Sequence, residues 1–115
     1  MPLSSRYTLL NHSRITMPYR AGSNWNDVNE LRALAIFKML QEQGFPSGVQ
    51  LRSCRAISNI SGLTPGSLSA KVSNYKSVAG VNKHSNASLK TKEIYRKYGH
   101  LKADDIEKLI RDQII

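Results

Sequence analysis

The sequence predicts an all-α protein: about five short helices around a helix-turn-helix-like core, with a basic N-terminal arm. Three observations carry this reading. From Val28 onward, apolar residues recur at the three-to-four spacing of a helix face. Start and stop residues bracket each such segment, with Asp27, Thr64-Pro65 and Asp104-Asp105 opening helices and Gly44, Gly62, Gly80 and Gly99 closing them. No stretch alternates apolar and polar residues convincingly over strand length. The 115 residues fit one domain, divided into a flexible basic arm over 1–22 and a helical body over 23–115.

The arm holds Pro2, Pro18, Gly22 and three arginines without a sustained period. The first helix starts near Asn26 or Asp27, where Asp27 and Glu30 have capping-box spacing, and runs to Gln43. Val28, Leu31, Leu34, Ala35, Phe37 and Leu40 form a face too broad for a lone surface helix, so this element is expected at the centre of the core. Trp25 is expected to staple its start to the body. The second helix spans Val49 to Ile60, with Val49, Cys54, Ile57 and Ile60 inward and Arg52, Arg55 and Asn59 outward. The lone Cys54, set among helical apolar residues, reads as a small buried hydrophobe. The third helix opens at Thr64-Pro65, a good cap followed by a residue pre-shaped for the first helical position. Leu68, Val72, Tyr75 and Ala79 form its inner stripe. The fourth runs from about Thr91 to Tyr98, anchored by Ile94, Tyr95 and Tyr98. The fifth runs from about Lys102 to the end, with Ile106, Leu109, Ile110 and Ile114 inward.

Charge points to a partner. The chain carries a formal net charge of +9, and no Asp or Glu occurs from Gln43 to Lys92 or in the first 26 residues. Uncompensated cations repel one another unless a polyanion neutralises them. Nucleic acid is therefore the expected partner, and the body is read as a DNA-binding domain. No run of 18 apolar residues is present to span a bilayer, and the polar N-terminus lacks a signal core. The expected location is cytoplasmic and nucleoid-associated, with no membrane partner.

Residues 54–72 read as a helix-turn-helix. Gly62 permits the left-handed turn, Leu63 plugs the angle, and Leu68 and Val72 press the second helix onto the first. The last apolar position of the usual spacing falls on Lys71, with Val72 taking its role one residue later. An ordinary helix corner would carry the same glycine and caps. On the outer face of the third helix, Asn74 suits adenine and Lys71 suits guanine. Ser67, Ser69 and Ser73 are expected at phosphate or base edges. Arg52, Arg55, Lys76, Lys83 and Lys90 are the expected phosphate contacts, with His84 beside Lys83. Arg14 and Arg20 would reach a neighbouring minor groove from the arm.

The pattern Trp25…Glu30-Leu31…Ala35…Phe37, then Thr64-Pro65-Gly66-Ser67-Leu68-Ser69-Ala70-Lys71-Val72-Ser73-Asn74-Tyr75, Ser85-Asn86-Ala87-Ser88 and Ile94-Tyr95 resembles a helical domain found ahead of HNH nuclease domains in bacterial restriction-type endonucleases. The resemblance covers residues 25–98. It implies a DNA-targeting module of a restriction or defence nuclease that senses a modified base. Lys71 and Asn74 stand at motif positions, and Tyr75 takes the aromatic place. No HNH motif follows in this chain, so the expectation is a binding protein rather than an enzyme, part or partner of a nuclease.

No catalytic, metal or cofactor pattern is recognisable. His12, His84, His100 and Cys54 are too dispersed for zinc, and no phosphate loop or nucleophile triad is present. Two other functions fit the same features. One is a small transcriptional regulator using the third helix on an operator as a homodimer, with Ile114-Ile115 available for pairing. The other is a protein-interaction or inhibitor module.

Overall fold

The computed structural model describes residues 19, 22–81 and 87–114. It is all-helical, with five helices and no strand among the described residues. They are α1 (Asp27–Glu42), α2 (Val49–Ser61), α3 (Pro65–Val78), α4 (Leu89–Tyr98) and α5 (Ala103–Ile114). The calls on Arg14, Arg20, Lys83, His84 and Ile115 lie outside the described residues, as does the side chain of Ile114.

Helix α1 is the central strut. It packs against all four other helices, and Leu31, Ala33, Leu34, Phe37 and Leu40 are almost completely buried. Its breadth of apolar surface requires neighbours on several sides. Leu68, Val72 and Tyr75 of α3, Ile94 of α4, and Ile106 and Ile110 of α5 close the core around it. Phe37 anchors an aromatic cluster, with Phe45, Tyr75 and Tyr95 centred 6.1, 6.4 and 6.3 Å away.

Side chains of α1 also serve the ends of other helices. Lys38 Nζ donates to the Gly99 carbonyl at 2.7 Å, satisfying the C-terminus of α4. Glu42 accepts the Ala103 N–H at 2.8 Å, satisfying the start of α5. Each charge matches the sign of the dipole end it meets. Gly99 has no room for a side chain, because a Cβ there would lie 2.5 Å from the Tyr95 carbonyl oxygen.

The α2–α3 corner turns at Gly62, with φ +76°. Leu63 is buried in the angle as the sequence predicts, and Thr64 caps α3 by accepting the Ser67 N–H at 3.0 Å. The entry to α1 grips this corner. Asn24 donates to the Gly62 carbonyl at 2.9 Å, and Asn29 donates to the Ser61 carbonyl at 2.9 Å.

Two local expectations are corrected. Asn26, not Asp27, caps α1, accepting the Asn29 N–H at 2.8 Å. The carboxylates of Asp27 and Glu30 are turned into the body instead of closing a capping box. Ile60 is 66% exposed. The chain reverses at Gly62, and Ser61 and Leu63 take the interior positions at that end of α2.

Candidate nucleic-acid interface

Helix α3 lies between α2 and α4 and touches both. Its inner stripe is fixed by Leu68, Val72 and Tyr75, all fully buried. The opposite side carries Gly66, Ser67 and Ala70, all exposed, and the half-exposed Asn74 and Ser77. No bulky side chain stands on this side, so the backbone of α3 can approach a flat or grooved surface closely.

The candidate residues divide by environment. Arg52 and Arg55 are exposed on α2. Ser67 is exposed and bonded only locally, at 3.1 Å from the Thr64 hydroxyl. The side chain of Asn74 makes no hydrogen bond to a described residue, which leaves its half-exposed amide open. Lys76 is half-exposed, with Nζ 5.3 Å from the centre of the Phe45 ring. Ser69 and Ser73 face sideways toward α2, where Gln50 Nε2 lies 2.9 and 3.1 Å from their hydroxyl oxygens. That amide clamps α2 to α3, and the sequence reading missed it.

Lys71 and Lys90 do not lie on the outer surface. Lys71 Nζ sits 3.0 Å from Glu30 Oε2, donates to Thr91 Oγ1 at 2.9 Å, and rests 4.6 Å over the Trp25 ring. Its side chain is only 13% exposed. The reason is its place on α3, one residue before Val72 and four before Tyr75, at the margin of the buried stripe. The position thus points inward, where Glu30 pairs with the lysine. Lys90 is 6% exposed, with Nζ 3.2 Å from Asp27 Oδ1.

The two ion pairs belong to one buried polar layer joining α1, α3 and α4. The Tyr75 hydroxyl donates to Glu30 Oε1 at 2.7 Å, and the Tyr19 hydroxyl donates to Asp27 Oδ1 at 2.7 Å. Burial, reinforced by these carboxylates, pushes the pKa of both tyrosines above the usual range. Tyr19, within the stretch read as an arm, is therefore tied to the body. Burial also raises the Cys54 thiol, consistent with an inert hydrophobe rather than a nucleophile.

This layer decides the surface charge. Asp27 and Glu30 are spent internally, and Glu93 is buried beside Lys97 at 3.6 Å. Among the described residues, the exposed carboxylates are Glu42 and those of α5: Asp104, Asp105 and Glu107. None lies on α2, α3 or α4, whereas Arg52, Arg55, Lys92 and Arg96 are exposed there. Lys92 and Arg96 are one helical turn apart, a spacing that could have drawn attention to them in the sequence. No group of three or more metal-ligating side chains occurs among the described residues. No described helix is long and apolar enough to cross a membrane. Comparison with protein-family models, curated proteins and solved structures finds no match.

Proposed function

We propose that this protein binds double-stranded DNA through the outward sides of α2, α3 and α4. The observation that supports this reading most is the segregation of charge: those three helices expose four full cations and no carboxylate. Phosphates are the matching partner, and Arg52, Arg55, Lys92 and Arg96 would position the duplex without reading its sequence. Readout then falls to the short side chains of α3. Asn74 presents an open amide suited to adenine, while Ser67 and Ala70 allow close approach to base edges and thymine methyls. Lys71 holds the reading helix in place from behind. The further assignment, to the targeting module of a restriction or defence nuclease that senses a modified base, rests on the sequence resemblance over residues 25–98.

The test is a salt titration. Four phosphate contacts give a slope of log affinity against log salt of about −3 to −4, from roughly −0.9 per contact. Arg52→Glu with Arg55→Glu should weaken binding to specific and random duplexes alike and flatten the slope. Asn74→Ala should cost about 1–3 kcal/mol on a selected site and much less on random DNA. A slope near zero would show that phosphate is not the partner.

A further inference from the structure

An open groove of about 270 Å³ runs between α1, α2 and α5. Ile36, Ile57 and Ile110 line it, and Ile60, 66% exposed, stands at its edge. We propose that this groove is the interface of a symmetric homodimer, and its occupant a second copy of this chain. The inference is independent of the DNA-binding reading.

Two features favour a second copy over an unrelated partner. The first is shape. A two-fold interface must be complementary to itself, and here an apolar projection and an apolar slot lie side by side in one patch. Ile60 of one protomer can enter the slot of its partner while the partner's Ile60 does the reverse. The second feature is charge. Glu107 and Arg111 border the groove one turn apart on α5, and neither makes an ion pair among the described residues. Two copies of α5 crossing antiparallel about a two-fold axis set Glu107 of one protomer opposite Arg111 of its partner, twice over. A foreign partner would need a patch of the same design. Arg32, at the same border, also lies near Glu107 within one chain, so each copy brings two cations and one carboxylate to the rim.

The geometry leaves the basic side free. Arg55 and Asn59 share one face of α2, and Ile60 follows about 100° further round. Pairing through Ile60 therefore turns Arg55 away from the interface.

The experiment is sedimentation equilibrium on the full chain over a concentration series. The expected result is a reversible approach to twice the 12.9 kDa mass of one chain. Ile60→Asp should remain monomeric with an unchanged helical circular dichroism spectrum, because the residue is exposed in the single chain. Glu107→Arg and Arg111→Glu should each weaken the dimer by about tenfold or more, through two like-charge contacts. The double variant E107R/R111E restores opposite charges across the axis and should recover most of the loss. A single-chain mass at every concentration, a dimer that survives Ile60→Asp, or a double variant as weak as the singles would each overturn the proposal.

Discussion

Lys71 holds its charge inside the protein, bonded to Glu30 and Thr91 and covered by Trp25. Removing either member of a buried ion pair strands the other in a poor solvent. Lys71→Ala and Glu30→Ala should therefore each destabilise by about 3–5 kcal/mol in chemical denaturation without DNA. A base-reading lysine would show no such loss, so an unchanged midpoint would return Lys71 to the surface. The tyrosines give a pH prediction. Tyr19, Tyr75 and Tyr98 have folded-state pKa values raised by burial and neighbouring carboxylates. Above pH 10 the unfolded chain loses these protons while the folded chain keeps them, so stability falls as pH rises. Below about pH 10 this contribution is fully present. Tyr75→Phe should make the alkaline decline shallower, and an identical decline in the variant would count against Tyr75 as a cause.

At the scale of elements, local chemistry was readable and distant pairing was not. The expected helix limits agree with the structure to within two residues, because Thr64-Pro65, Gly62 and Gly99 mark ends through their own backbone preferences. The start of α4 was placed late because its cap, Ser88, sits in a polar stretch and accepts the Thr91 N–H. The internal use of Asp27, Glu30, Lys71 and Lys90 had no local signal. Glu30 meets Tyr75 and Thr91 at sequence separations of 45 and 61, which no helical period encodes. Exposed cations were therefore overcounted, and Gln50 and Arg96 were overlooked. The α2–α3 corner yields a paired prediction. Gly62 has φ +76°, and a Cβ there would touch Asn24 Nδ2 only at an ordinary 3.7 Å. The backbone alone makes Gly62→Ala unfavourable, by about 1–2 kcal/mol. Gly66 has ordinary dihedrals and open surroundings within the first turn of α3. Gly66→Ala should stabilise by about 0.4–1 kcal/mol through a less disordered unfolded chain. Thermal unfolding of the two variants should move in opposite directions, and shifts of the same sign would contradict this account of the corner.

At the scale of the whole molecule, among the described residues, α2 to α4 expose cations without acids, whereas the exposed acids of α5 lie among the equally exposed Lys102, Lys108 and Arg111. Such a distribution turns an approaching polyanion toward one side before contact. The sequence showed the acid gap but not its sharpness, which depends on three carboxylates withdrawn into the interior. Those interior links have a consequence in time. Each helix and the α2–α3 corner form from residues close in the chain, whereas the polar layer joins Glu30 to partners 45 and 61 residues away, and Lys38 and Glu42 reach helix ends 61 residues away. Closing such spans costs entropy before any contact repays it. The layer is thus expected to act as a latch that sets after the helices have assembled. A latch of this kind governs how long the native state lasts more than how fast it is reached, so the loss in Glu30→Ala should fall mainly on the unfolding limb of a stopped-flow chevron.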